Sequence, residues 1–270
     1  MNSCIRNETI SEFNEQLTRN NLTENNFSTL FQNIDGNRAN FDNFAVKLEE
    51  LQHRFSVIGL AETNVDPNNK DLYALDNYKS YYHDIDLDKK KGTGVALYVH
   101  DSLNATIVNE LSCRTSNLES LFITTQINSI QTLIGVFYNP PSGNNYQFII
   151  EFQEILNKCP SENVYLLGDF NFNLHSIINQ DDKQFEQTIL TSGVFPLISR
   201  ATHAKPNFKE SCIDNILTNE VNSIILCGTI EESVSNHYSI FSFMNIELTQ
   251  IKKNLLHSIT NSLIQELNSS

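Results

Sequence analysis

Nine glycines in 270 residues, and no sustained heptad of apolar side chains, exclude collagen-like and coiled-coil architectures. No run of eighteen apolar residues occurs, so no segment is expected to span a membrane. The N-terminal stretch MNSCIRNETISEFNEQLTRNN has no apolar run of the kind a secretory signal needs. Cysteines are few and scattered: Cys4, Cys113, Cys159, Cys212 and Cys227 are odd in number, widely spaced and form no C-x-x-C. That pattern excludes a disulfide framework and a structural zinc site, and it predicts a reducing, intracellular home. No H-E-x-x-H, G-x-S-x-G, P-loop or G-x-G-x-x-G is present, so zinc proteolysis, serine hydrolysis and nucleotide-driven chemistry have no anchor. Cations are scarce as well. Lys plus Arg number 18 against 32 Asp plus Glu, a net charge of −14. The chain therefore lacks the overall basic footprint of a high-affinity nucleic-acid binder. Nucleic acid as an enzyme's substrate stays open, because a local basic patch or a bound cation can offset a negative total.

Forty per cent of the residues are hydrophobic, enough for a core. Residues 1–26 are polar and read as an extension with a short helix around Ile10–Leu17. Apolar residues at 41, 44, 45, 48 and 51 predict a helix over Phe41–Leu51. Tyr146–Leu156 and Lys183–Thr191 read the same way. Strands are expected at Phe27–Ile34, Phe55–Leu60, Tyr78–His83, Thr93–His100, Leu118–Ile127, Gln131–Tyr138, Asn163–Leu167, Cys212–Leu217, Ser223–Leu226 and Tyr238–Ile246, all rich in β-branched and aromatic residues or short apolar runs. Strands and helices are mixed through one block, residues 27–247, which predicts a single α/β domain. Residues 248–270 place Leu248, Ile251, Leu255, Ile259 and Leu263 on one stripe, an amphipathic helix.

Polar residues collect at strand ends, where α/β folds build their sites. Glu62 follows the run Val57 to Ala61. Asp169 and Asn171 follow Leu166-Leu167-Gly168. His237 precedes Tyr238-Ser239-Ile240-Phe241, and Asp214 stands in Ser211-Cys212-Ile213-Asp214-Asn215. A strand-end Asp also serves turns and caps, so each residue alone has a plain structural explanation. Together they have a chemical one. A carboxylate such as Glu62 suits a hard cation that keeps most of its waters. An Asp beside an Asn can deprotonate and orient water. A His whose tautomer is held by a carboxylate can stabilise charge on phosphate. These are the parts of metal-assisted phosphoester hydrolysis.

The ordered series Asn33 … Leu60-Ala61-Glu62-Thr63 … Tyr138-Asn139-Pro140-Pro141 … Gly168-Asp169-Phe170-Asn171 … Ile213-Asp214 … Ser235-Asn236-His237 resembles the endonuclease/exonuclease/phosphatase superfamily. Within it the series is most similar to the endonuclease domain of LINE-type (non-LTR) retrotransposons. The resemblance covers residues 27–247. It implies a four-layer α/β sandwich, two mixed β-sheets packed face to face and flanked by helices. It also implies that Glu62, Asn33 and Asn236 surround a Mg²⁺, with Mn²⁺ as an alternative. Asp169 would activate water, Asn171 would orient it, Tyr138 would hydrogen-bond the phosphate, and His237, oriented by Asp214, would stabilise the transition state. DNA is the implied substrate, cut by nicking, with the chain acting as a monomer, away from membranes, in the nucleus or cytoplasm. A reverse transcriptase follows such domains in relatives, and none is expected within these 270 residues.

The chain departs from the family pattern at three positions. Asn236 stands where the family usually has Asp, Asn139 where it usually has Arg, and His203 where Arg is common. These departures motivate an alternative, a catalytically impaired relic or binding module of the same fold. Another phosphoesterase of the superfamily is a further alternative. Asp84-Ile85-Asp86-Leu87-Asp88 imitates an EF-hand opening but has Lys89 at the required glycine, so it reads as a solvated acidic loop, with Lys89–Lys91 a solvated turn beside it.

Overall fold

A computed structural model describes residues 5–36, 38–83, 93–159, 163–205, 209–231 and 234–248. The apolar runs form two seven-stranded sheets. In spatial order the first contains β1 (Ile5–Glu8), β13 (Ile224–Ile230), β14 (Ser239–Glu247), β2 (Asn26–Asn33), β3 (Val57–Ala61), β5 (Val95–His100) and β4 (Tyr78–Tyr82). The second contains β11 (Phe195–Pro196), β12 (Asp214–Thr218), β10 (Asn163–Asp169), β9 (Ile130–Tyr138), β8 (Glu119–Ile127) and β6 (Ala105–Ile107), with β7 (Cys113–Arg114) also on β8. Both sheets are mixed. β1 with β13, β2 with β3 and β9 with β10 are parallel pairs, and the remaining pairs are antiparallel.

Three hydrophobic clusters define the layers. Between the sheets lie Phe27, Phe31, Val136, Tyr165, Leu167 and Ile216. On the outer face of the first sheet, α1 (Ile10–Arg19) and α2 (Arg38–Glu50) pack Phe13, Phe41 and Phe44 against Leu30, Ile58, Phe241 and Phe243. On the outer face of the second, α3 (Asn145–Leu156) and α4 (Gln180–Thr191) pack Phe148, Phe152 and Phe185 against Phe122, Phe137 and Leu166. The result is the four-layer α/β sandwich. Central strands are covered on both faces, so they read as continuous apolar runs rather than as alternating ones.

The period-two geometry of strands decides which end of the sandwich becomes chemical. Phe31 and Asn33 of β2 share the inner face with Tyr165, Leu167 and Asp169 of β10, Val136 and Tyr138 of β9, and Asp214 and Ile216 of β12. At one end, polar residues replace the apolar ones of the inner stripe. Gly168 is required there. A Cβ on it would lie 2.7 Å from the Phe137 carbonyl oxygen on the neighbouring strand.

Residues 5–22 do not form a loosely attached extension. β1 extends the first sheet beside β13, and the helix expected at Ile10–Leu17 runs over Ile10–Arg19. Thr9 and Glu12 cap it reciprocally. Phe13 is fully buried against Phe55, Phe241 and Phe243. The segment looked polar because one helical face carries nearly all its apolar residues, a stripe of Phe13 and Leu17 with Gln16 beside it. Short β6, β7 and β11 are further strands that the patterning did not predict. The C-terminal helix, the acidic loop and Lys89–Lys91 lie outside the described residues, apart from Leu248.

Candidate active site

Strand register assembles the site. Asp169 stands opposite Tyr138 on one side and Asp214 on the other, while Asn33 pairs with Ala61, so that Glu62 emerges beside it. The Asn33 amide then links the sheets. Its Nδ2 donates to Glu62 Oε1 and to Asp169 Oδ2, both at 2.9 Å. Its Oδ1 accepts from the Asp35 amide at 2.9 Å.

Two strand ends turn sharply to aim their side chains. Glu62 and Asn171 have φ of +51° and +55°, left-handed values that cost a non-glycine residue about 1 kcal/mol or more. Such conformations persist where the surroundings over-determine them, which is common at functional sites. Around Glu62 the Gly36 amide donates to its carbonyl at 2.8 Å. Around Asn171 the backbone amide donates to Asp169 Oδ1 at 3.1 Å and Nδ2 to the Asn139 carbonyl at 2.6 Å.

The Asp214 carboxylate is completely buried and meets His237 Nδ1 at 2.9 and 3.0 Å. Thr202 Oγ1 accepts from the Asp214 amide at 3.0 Å and fixes where that strand begins. His237 is held in turn by its amide on Ser235 Oγ at 3.1 Å and by Gln32 Nε2 on its carbonyl at 3.0 Å. Burial opposes a charged imidazole here. The Asp214 charge and hydrogen bond, with Asp169 and Glu62 adding, override it and raise His237 to about 9. Asp169 is pushed up by burial and by the Asp214 charge, against the pull of His237 and Asn33. Tyr138 is pushed up by burial and by Glu62 and Asp169, with its hydroxyl hydrogen-bonded to Glu62.

The structure therefore brings Asn33, Glu62, Tyr138, Asp169, Asn171, Asp214 and His237 to one edge. Asn236 adjoins His237 and is half-buried; its carbonyl accepts from the Ala204 amide at 3.0 Å, and among the described residues no hydrogen bond joins its side chain to Glu62 or Asn33. Asn139 is a brace beneath the turn. It is fully buried, and its Nδ2 donates to the Phe170 carbonyl at 2.8 Å and to Asn145 Oδ1 at 3.3 Å. His203 packs its ring 4.6 Å from that of His237. Glu119 and Gln32 went unnoticed in the sequence. Glu119 pairs with Tyr138 across the ladder, accepts from the Gly94 amide at 2.8 Å and lies 3.3 Å from Arg114. The signal was a lone acid opening a strand with no other charged residue. Asp35 sits on the turn that Asn33 holds, and an Asp-Gly after a strand reads first as a turn.

The edge is rich in negative charge. One ligand atom from each of Asp169, Asp214 and His237 lies within 4.8 Å of the others, a spacing able to hold a cation. Both Asp214 oxygens already meet the His237 ring, however, and Glu62 is half-buried where Asp169 and Asp214 are fully buried. Oxygen donors in this excess suit a hard divalent ion better than a soft one.

This strand-end constellation has a family. The chain belongs to the Endonuclease/Exonuclease/phosphatase family, which it matches over residues 14–237. No curated protein matches the chain. Among solved structures, the endonuclease domain of TRAS1, a telomere-specific non-LTR retrotransposon, is similar at a TM-score of 0.62 and 15% identity, over 82% of this chain and 99% of that one. An AP endonuclease from Leishmania major is similar at 0.64 and 12%, over 89% and 91%. A 3′ phosphatase from Neisseria bound to product DNA hairpin is similar at 0.56 and 11%, over 81% and 99%. At these identities the likeness shows the shared fold. Membership of the Endonuclease/Exonuclease/phosphatase family supports a hydrolase of phosphoesters or nucleic acids. Among the described residues no helix is long and apolar enough to cross a membrane.

Proposed function

We propose that this protein is a metal-dependent phosphodiesterase that nicks DNA in the manner of a retrotransposon endonuclease. The observation that carries the reading is the Asn33 amide joining Glu62 and Asp169 beside the buried Asp214–His237 pair. Glu62 is the residue that would hold Mg²⁺, or Mn²⁺ in its place. Asn33 presents its amide nitrogen rather than its oxygen to the carboxylates, which supports a positioning role for it. A bound cation there supplies neutralisation of the phosphoryl oxygens.

The remaining work falls to side chains of this chain. Asp169, positioned by the Asn33 amide on Oδ2 and the Asn171 amide on Oδ1, accepts a proton from the attacking water. Asn171, held by the Asn139 carbonyl, orients the water and phosphate. As the new P–O bond forms, negative charge grows on the non-bridging oxygens. His237 stays protonated through Asp214 and meets that charge, and the Tyr138 hydroxyl offers a hydrogen bond. The P–O3′ bond breaks and the departing oxygen takes a proton from solvent, leaving a 3′-hydroxyl and a 5′-phosphate. DNA as substrate is supported by the TRAS1 endonuclease domain and by the Neisseria phosphatase bound to DNA.

Supercoiled plasmid with Mg²⁺ tests the reading directly, beside EDTA and Asp169→Asn controls. Metal-dependent nicking that the variant lacks is expected. A second reading, an impaired relic of the fold, rests on Asn236, whose side chain brings no charge to the edge. A folded protein that neither nicks plasmid nor gains nicking through Asn236→Asp would refute the endonuclease reading in favour of a different phosphoester or none.

A further inference from the structure

A second polar tie joins the two sheets beside Asn33. Glu119 opens β8 in the second sheet, and its Oε2 accepts from the amide of Gly94, the residue before β5 in the first, at 2.8 Å. Its Oε1 lies 3.3 Å from Arg114 Nε, and the Arg114 and Glu119 side chains are only 8% and 2% exposed. The Gly94 carbonyl in turn accepts from the Thr63 amide at 3.1 Å, and the Thr93 carbonyl from the Asn64 amide at 2.9 Å. Thr63 follows Glu62, so a relay runs from a buried carboxylate on one sheet to the left-handed turn that aims Glu62 on the other. The fit is tight. Gly94 has φ of +97°, and a Cβ on it would lie 2.7 Å from Thr63 Oγ1.

Glu119 reaches Glu62 by a second route. It stands directly opposite Tyr138 in the β8–β9 ladder, and paired residues of an antiparallel ladder put their side chains on one face. The Tyr138 hydroxyl is hydrogen-bonded to Glu62. The Glu119 carboxylate thus flanks the residue that meets Glu62, while one of its oxygens pins the turn that follows Glu62. Stability alone does not account for a charge here. A buried ion pair carries a desolvation cost that an apolar pair of similar volume avoids. What an apolar residue cannot supply is an acceptor for the Gly94 amide, which is buried and would be left unpaired.

We infer that Glu119, neutralised by Arg114, is a positioning residue whose hydrogen bond to the Gly94 amide fixes the turn at residues 62–64, and with it the Glu62 carboxylate that would hold the divalent cation. The use of that carboxylate on a cation rests on the phosphodiesterase reading. Glu119 acts through Gly94 and Thr63, not on the phosphoester itself.

Two double variants of the full chain separate the hydrogen bond from the charge. Arg114→Met with Glu119→Gln removes both charges and keeps an acceptor. Arg114→Met with Glu119→Met removes both and leaves none, at nearly the same shape; Glu119→Leu in that background is a second acceptor-free variant should the first fail to fold. Amide hydrogen exchange by NMR reads the turn, and Mn²⁺ binding by EPR reads the carboxylate. The Thr63 and Asn64 amides are expected to exchange about tenfold faster in the acceptor-free variant than in the Gln variant, the size of one lost hydrogen bond, while the Leu97 and Val99 amides of β5 exchange alike in the two. Mn²⁺ is expected to bind about tenfold more weakly to the acceptor-free variant. Equal exchange at Thr63 and Asn64 would overturn the positioning role. So would acceleration shared by the β5 amides, which marks a merely structural role, or a loosened turn with undiminished Mn²⁺ affinity. Variants that differ as expected, beside a wild-type protein that binds Mn²⁺ but never nicks plasmid, would refute the phosphodiesterase reading and leave the positioning role standing. Absence of Mn²⁺ binding by the wild-type protein would refute both.

Discussion

Replacing Asp214 by Asn isolates the buried ion pair at the centre of the site. Asparagine keeps the shape and a hydrogen-bond acceptor for His237 Nδ1 but removes the charge that holds the ring protonated. His237 stands at about 9 against an ordinary 6.5, a difference equivalent to about 3 kcal/mol between its two protonation states. Because the folded value is the higher one, this contribution to stability is fully present below pH 6.5 and is lost as pH rises through 9. Two readouts follow. In urea unfolding, the wild-type protein should lose up to about 3 kcal/mol from this group between pH 6.5 and 9, and Asp214→Asn should lose little over the same window. By NMR, the His237 ring of the variant should titrate below 6.5, because burial then acts without its main counter-charge. Nicking at pH 7 should fall by about 10²- to 10³-fold, the usual effect of removing one preorganised electrostatic partner. A variant His237 that still titrates near 9 would refute the reasoning, since the more distant Asp169 and Glu62 should not be able to hold that proton against burial.

Three further outcomes are expected. His53 is lowered to about 4 by burial, with His100 adding, so stability from its neutral form should be lost as pH falls from 6.5 toward 4, by up to about 3 kcal/mol; urea unfolding of wild type against His53→Phe at pH 7 and pH 5 measures it, and an identical pH response in the two would contradict it. Phe13→Ala should cost about 3–5 kcal/mol in chemical unfolding if α1 belongs to the core, whereas a change below about 1 kcal/mol would mean the N-terminal segment is dispensable. Gly168→Ala should destabilise by about 1–3 kcal/mol and slow nicking more than its stability loss explains, because the added Cβ pushes β10 from β9 and shifts Asp169 from Tyr138; unchanged kinetics in a folded variant would count against that account.

The helices that carry apolar faces were legible in outline. Their observed starts lie earlier than predicted, Arg38 for α2 and Gln180 for α4, because the first turn carries polar residues that hydropathy cannot claim. Asn144 and Asn179 cap α3 and α4 through their side chains, a signal present in the sequence. β1 was not legible. A four-residue edge strand has no pattern of its own and exists because β13 offers it a free edge.

Chemistry followed the same division. Strand-end placement of Glu62, Asp169, Asp214 and His237 follows from local hydropathy alone, since each polar residue interrupts or bounds an apolar run. That these residues meet does not. Asn33 and Asp169 are 136 positions apart, and their 2.9 Å contact depends on the register of β2 with β3, of β10 with β9 and β12, and on the packing of one sheet over the other. The braces are equally a product of packing. Asn139 appeared as a lost phosphate-binding Arg, and only the folded turn shows its amide turned inward to the Phe170 carbonyl. By itself the sequence determined which residues sit at strand ends and which runs must be buried, because periodicity and hydropathy act over neighbouring residues. The tertiary structure alone decided which strand ends face one another and which side chains turn toward the edge, because sheet register and the stacking of two sheets join residues that no local pattern relates.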